Sequence, residues 1–174
     1  MYALKAPWSE KMIRLARKND LQSIVEIYNQ AILHRFVTAD LDPVTVDDRL
    51  SWFNEHTPDE FPVYVLEDDR KIIGWCSLSS YRDGRKALLR TAEISCYIDY
   101  NHHGKGAGTE LLNYVIDDCK RINKHVLFAI VLEKNINSMK LLEKFGFSKW
   151  GFLPDVADFD GVLYGHFYFG KIVD

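Results

Sequence analysis

Between Thr91 and Leu112 the chain changes its period twice, and that change limits the folds open to it. Glu93, Ser95 and Tyr97 alternate with Ile94, Cys96 and Ile98, the two-residue period of a pleated strand with two distinct faces. Gly104-Lys105-Gly106-Ala107-Gly108 follows, with too little side chain to pack as core. Apolar residues then recur at Ala107, Leu111, Leu112, Val115, Ile116, Cys119 and Ile122, the spacing of one helix face. Strand, glycine-rich turn and helix in that order leave the N–H groups of the turn and of the first helical turn without intrahelical acceptors. Those donors converge at the positive end of the helix dipole, which suits phosphate oxygens.

Two common phosphate loops do not match. A Walker loop needs four residues between its first glycine and a Gly-Lys-Ser/Thr, and Gly104-Lys105 is followed by Gly106. A dinucleotide fingerprint needs a glycine where Thr109 stands and follows the first strand of its domain, whereas several strands precede this turn. A chain of 174 residues fits one domain, and 47% hydrophobic with 13% aromatic residues argues for a packed globule. A net charge of −3 with no basic face gives no reason to expect nucleic acid. No apolar run reaches membrane-spanning length and no signal peptide opens the chain, so no membrane partner is expected. Cys76, Cys96 and Cys119 are dispersed, which fits reduced thiols and a cytoplasmic location.

Taken in order, residues 1–11 lack a clear period and are expected to be an appendage to a single domain over 12–174. Met12–Ala16 reads as a strand. Asn19 or Asp20 is placed to cap a helix carrying Leu21, Ile24, Val25, Tyr28 and Ile32. His34–Val44 is a loop, Thr45–Phe53 a second helix, and Val63–Glu67 with Ile72–Ser80 a hairpin. Leu88–Ile98 is the long strand before the turn. Val126–Leu132 is an apolar run expected to be covered on both faces. A helix over Ser138–Phe145 ends at Gly146, and Phe147–Leu153 and Leu163–Ile172 close the chain as strands.

His103-Gly104-Lys105-Gly106-Ala107-Gly108 resembles the Gln/Arg-x-x-Gly-x-Gly/Ala pyrophosphate loop of the GNAT N-acetyltransferases, with His103 in the Gln/Arg place. Asn135-x-x-Ser138 and Glu143-Lys144-Phe145-Gly146-Phe147 resemble the second cofactor motif of that family. Ile27–Ile32, Arg49–Phe53, Ile73-Gly74-Trp75, Thr91-Ala92-Glu93 and Tyr97 are similar to its phosphinothricin acetyltransferase branch. The resemblance implies an α/β (mixed α+β) acyl-CoA N-acyltransferase fold. Its central mixed, mostly antiparallel sheet carries helices on both faces, and two parallel strands splay to hold CoA. It implies acetyl-CoA as cosubstrate and a small amino-acid-like amine, of phosphinothricin or methionine sulfoximine type, as acceptor. It implies that His103, Gly104, Lys105, Gly106, Ala107, Gly108 and Thr109 face the pyrophosphate. Backbone groups of Cys96, Tyr97 and Ile98 would pair with the pantetheine arm, and Asn135 and Ser138 would flank it; Asn135 is equally suited to cap its helix. A homodimer is implied too, through the aromatic C-terminal strands.

An amine attacks a thioester only through its free lone pair, and an aliphatic ammonium titrates near ~10, so a base is needed. Glu93 stands where the resemblance puts a catalytic glutamate, and burial beside an apolar arm would raise its pKa. A backbone N–H near Cys96 or Tyr97 is placed to receive the oxyanion. The chain departs from the family in three places. Leu142 occupies the site of a tyrosine acid, Leu88 and Leu89 replace an aromatic and an arginine that contact the acceptor, and Val162-Leu163-Tyr164 replaces Trp-Leu-Asp. The expected acceptor residues are Phe36, Lys86, Ala87 and Leu88, with Trp52, Phe53 and Trp75 either lining that side or simply core. His102 and His103 are adjacent and point apart, so no metal site is expected. Two other functions fit the same residues: a protein or peptide N-acetyltransferase, and a non-catalytic acyl-CoA sensor.

Overall fold

A computed structural model describes residues 11–173, so the expected appendage lies, apart from Lys11, outside the described residues. The elements are β1 (Met12–Leu15), α1 (Leu21–Leu33), α2 (Val46–Glu55), β2 (Val63–Asp68), β3 (Lys71–Ser80), β4 (Thr91–Ile98), α3 (Ala107–Asp118), β5 (Val126–Leu132), α4 (Ile136–Lys144), β6 (Ser148–Phe159) and β7 (Val162–Ile172). The strands form one sheet in the order β1-β2-β3-β4-β5-β7-β6. Every neighbouring pair is antiparallel except β4 and β5.

The alternation along β4 sorts its residues between two cores. Ala92, Ile94, Cys96 and Ile98 pack with Leu111, Leu112 and Val115 of α3 and Met139 and Leu142 of α4. On the opposite face Tyr97 and Trp75 pack with Leu21, Ile24, Val25 and Tyr28 of α1 and with Leu50, Trp52 and Phe53 of α2. Each helix buries its apolar stripe against the sheet, which is where most helical stability comes from.

The feature that positions the site is a failure of pairing. β4 and β5 are in register only at Thr91↔Val126, Ala92↔Leu127 and Glu93↔Phe128. Beyond Glu93 the strands part, because β5 stays paired with β7 all the way to Leu132↔His166. Ile130, expected to be covered, is therefore 39% exposed.

Several boundaries differ from the sequence reading for local reasons. Asp20 does not cap α1 with its side chain; its carboxylate takes the Arg14 guanidinium and the Arg17 N–H instead. β4 begins at Thr91, since Lys86–Leu88 coils into a 3-10 turn. The hairpin tightens to Asp69 and Arg70, both at positive φ, the geometry that matches strand twist in two-residue turns. β6 runs past Pro154 to Phe159 through a register shift between Leu153 and Ala157, which an edge strand tolerates because one side needs no ladder bond.

Candidate active site

The gap between the splayed strands opens into a cleft of about 650 Å³. Cys96, Tyr97 and Ile98 form one wall, the turn from His103 to Thr109 closes one end, and Asn135, Ser138, Leu141 and Lys144 of the α4 segment form the other wall. Gly104 and Gly106 sit at φ +72° and +86°, where a side chain would be strained, and Gly106 is the residue from which α3 starts. Among the described residues, no carbonyl or side chain accepts from the N–H groups between Gly104 and Thr109; the first one paired is Glu110, on the Gly106 carbonyl. A row of free donors at a helix N-terminus is the anion-binding arrangement expected from the sequence.

Around this row the side chains take assigned places. His103 Nε2 lies 2.9 Å from the Ile98 carbonyl and its ring stacks on Tyr100, so that carbonyl already has a partner and Cys96 and Tyr97 are the freer part of the strand edge. Lys105 turns away to the Asn101 carbonyl at 2.8 Å. The Asn135 carboxamide oxygen accepts the Ser138 N–H at 3.2 Å and caps α4, while the residue also lines the cleft. Lys144 reaches Thr109 Oγ1 at 3.4 Å across the mouth. Lys144, Tyr100, His102 and Asn137 were not among the residues expected to face the cosubstrate. For Lys144 a signal existed: it stands beside the Phe145-Gly146 helix end, on the turn of α4 nearest the glycine loop.

Glu93 sits where β4 and β5 separate, half-buried on the α1/α2 face with Ser95 and Tyr97. Burial, the sole cause, pushes its carboxyl above the ordinary value. Among the described residues it has no hydrogen-bond or ion-pair partner. On the same face, Arg49, Trp52, Trp75, Ser77, Ser79 and Ser95 enclose a smaller cavity of about 90 Å³. Trp52 and Trp75 thus line this cavity and Phe53 does not.

The other expected acceptor residues lie elsewhere. Phe36 is clasped by Phe159 and Tyr164, with ring centroids 5.0 Å from each, and it is Val37 that reaches the cleft. Lys86, Ala87 and Leu88 form the turn before β4 and line neither cavity. Leu142 is buried in the core, so that position carries no acid.

Residues 12–148 match the family described as acetyltransferase (GNAT) domain. The chain belongs to the GNAT acetyltransferases. It is 42% identical over 153 residues to YwnH of Bacillus subtilis (strain 168), provisionally named a phosphinothricin acetyltransferase, with 87% of this chain and 93% of that protein covered. It is 36% identical over 155 residues to the L-methionine sulfoximine/L-methionine sulfone acetyltransferase of Salmonella typhimurium (strain LT2), covering 88% and 86%. The crystal structure of a GNAT superfamily phosphinothricin acetyltransferase from Sinorhizobium meliloti in complex with acetyl-CoA superposes with a TM-score of 0.86 at 25% identity, covering 94% of this chain and 88% of that one.

As a GNAT enzyme the protein is an acetyl-CoA-dependent N-acetyltransferase of small molecules. The cleft fits that cosubstrate by the chemistry of its donors. Free N–H groups and Lys144 suit a pyrophosphate, and an unpaired strand edge with the apolar Val37 and Leu141 suits an amide-bearing arm. Among the described residues no group of three His, Cys, Asp or Glu could hold a metal ion. No helix of the described residues is long and apolar enough to cross a membrane.

Proposed function

We propose that the protein acetylates the primary amine of a small amino-acid-like acceptor, of phosphinothricin or methionine sulfoximine type, with Glu93 as the general base. The observation that carries this reading is the unpartnered, half-buried Glu93 carboxylate at the point where β4 leaves β5. A structural carboxylate in that position would have an Arg, Lys or N–H partner, since an unpaired buried charge is costly. A base needs the reverse: a raised pKa and a free lone pair facing open space. Glu93 takes a proton from the ammonium, directly or through one water. The amine attacks the thioester carbonyl while a backbone N–H at Cys96 or Tyr97 receives the developing negative charge. CoA thiol, with a pKa near ~8.5, leaves without the acid that Leu142 cannot supply. His103–Thr109 hold the pyrophosphate in this reading, and Asn135 and Ser138 the arm.

The names of the relatives support the acceptor class, and the departure from the branch that the resemblance implies at Leu88 and Leu89 falls in the turn before β4. The same reading takes residues 12–174 as a single cytoplasmic domain. It pairs two copies through β6 and β7, where Trp150 (52%), Val162 (53%) and Leu163 (52%) stand exposed.

Glu93→Gln tests the base. Turnover is expected to fall about 10²-fold with acetyl-CoA affinity kept. The sign of the pH effect follows from the raised pKa. Glu93 serves as a base only when ionised, so the parent rate climbs as pH rises through that pKa, and the variant loses this limb. The readout is CoA thiol release against phosphinothricin, methionine sulfoximine, ordinary amino acids, polyamines and short peptides. Unchanged rates would remove Glu93 from the mechanism, and turnover of peptides alone would move the acceptor class to proteins.

A further inference from the structure

The face of the sheet that carries Glu93 also carries a polar stripe that the transfer reaction does not use. β3 and β4 are in register at Trp75↔Tyr97, Ser77↔Ser95 and Ser79↔Glu93, and such partners share a face with Cβ atoms ~5 Å apart. Ser77, Ser79 and Ser95 border the cavity of about 90 Å³ together with Trp75, whose Nε1–H is buried without a hydrogen-bond partner. Buried polar groups are seldom left unpaired, and a polar cavity with room for more than one probe sphere holds water. A water in this cavity would lie beside Ser79, the cross-strand partner of Glu93.

At the far end of the stripe stands His56, just past α2. Its Nδ1 lies 2.7 Å from the Trp52 carbonyl, which can only accept, so Nδ1 carries the proton. Nε2 is then an acceptor, and Ser79 Oγ, 3.2 Å away, donates to it. Burial lowers the imidazole pKa and favours the neutral ring, opposed by the bond to the Trp52 carbonyl and by Glu55. With its proton committed to His56, the Ser79 oxygen offers only lone pairs to the Glu93 side. Lone pairs accept from a protonated carboxyl or from a bridging water and repel a carboxylate.

We propose that His56 is a positioning residue for Glu93: by holding the Ser79 hydroxyl as an acceptor toward the carboxyl, it makes Glu93 a stronger base. This rests on Glu93 being the base. Glu93 faces Ser79 from β3 and Phe128 from β5, with no charged group contributing to its shift, and Arg49 at the cavity is held by Asp40 at 2.8 Å. No charged group on this face therefore sets the state of the carboxyl.

The test is a carbon-13 titration of the Glu93 carboxyl, assigned by its loss in Glu93→Gln, in His56→Phe, His56→Gln and Ser79→Ala. In His56→Phe the serine is released to donate to the carboxylate, and the Glu93 pKa is expected to fall by about 0.5 to 1 unit. In His56→Gln the amide oxygen replaces Nε2 as acceptor, and the parent value is expected to return. Adding His56→Phe to Ser79→Ala is expected to change nothing further. A Glu93 pKa equal in parent and His56→Phe overturns the proposal, as does an equal fall in the Phe and Gln variants, which would mean that packing alone is lost. With methionine sulfoximine as acceptor, the acid limb of kcat/KM is expected to track the titrated value. A limb that survives Glu93→Gln defeats the base reading, whatever the titration gives.

Discussion

The two sides of β4 solve their binding problems with different materials. On the α3/α4 side the cleft is built from backbone: a strand edge without a neighbour, a turn at positive φ and a helix start with unpaired N–H groups. On the α1/α2 side it is built from side chains that arrive from α1, α2, β3 and β4, with Arg49 on the cavity wall and Glu93 two residues before Ser95 on the same face of β4. Backbone donors cannot be mutated away one at a time, so that side is tied to a fixed cosubstrate. Side chains can be exchanged singly, so the other side is free to change acceptor within one fold.

The sharpest way to break the comparison is to attack the backbone side through a residue the fold tolerates. Gly106→Asp places a carboxylate where α3 begins. Asp is strained at φ +86° but, among non-glycine residues, enters the left-handed region more readily than most, so folding is expected to survive with some loss of stability. The charge then faces the pyrophosphate, and acetyl-CoA affinity is expected to fall by at least about 100-fold, ~2.7 kcal/mol, in titration calorimetry. Normal binding would mean that the phosphate loop lies elsewhere.

The difference between the sides also explains what could be read from the chain. The order of eleven strands and helices was legible because both cores impose clean periods, as in Leu111, Leu112, Val115 or Ile24, Val25, Tyr28. The glycine turn was legible because its backbone demands particular residues. The splay after Glu93 was implied only by family resemblance, since it depends on how long β5 holds β7, a pairing between residues far apart in sequence. The acceptor side was largely hidden. Ser77, Ser79 and His56 look like ordinary strand and turn residues until the register sets Ser77 opposite Ser95 and Ser79 opposite Glu93, with His56 on Ser79. Phe36 was expected in the pocket because its loop crosses the cleft. Its backbone is left-handed at φ 61°, and its ring is directed to Phe159 and Tyr164.

Asn135 belongs to both materials, and two substitutions separate its duties. Asn135→Ala loses the oxygen that accepts the Ser138 N–H and is expected to cost about 1 kcal/mol in thermal or denaturant unfolding. Asn135→Asp keeps that acceptor at a helix N-terminus, where a negative charge is favourable, and loses only the amide donor. If the donor serves the pantetheine arm, KM for acetyl-CoA is expected to rise about 3- to 10-fold in Asn135→Asp with stability unchanged, the loss of one neutral hydrogen bond. An unaltered KM would leave Asn135 as a cap alone.

The smallest effect is expected where the chain leaves its branch, and it tests whether the acceptor side is as exchangeable as its construction implies. Leu89 is 43% exposed in the turn before β4, and only its backbone is engaged: its N–H donates to the Lys86 carbonyl and its carbonyl accepts from Lys124 Nζ at 2.8 Å. A longer polar side chain there displaces no core, so Leu89→Arg is expected to fold with stability within about 0.5 kcal/mol of the parent. If the guanidinium meets the acceptor's acidic group, as the arginine of related enzymes is expected to, KM for methionine sulfoximine should fall about 2- to 5-fold. A partly exposed charge pair of about 0.5 to 1 kcal/mol supplies no more than that. The gain should shrink as salt is raised, because exposed pairs are screened beyond ~10 Å at 0.1 M. An unchanged KM at low salt would place the acceptor's anion away from this turn, toward Arg49 and the serine stripe, and make that stripe the determinant of acceptor choice.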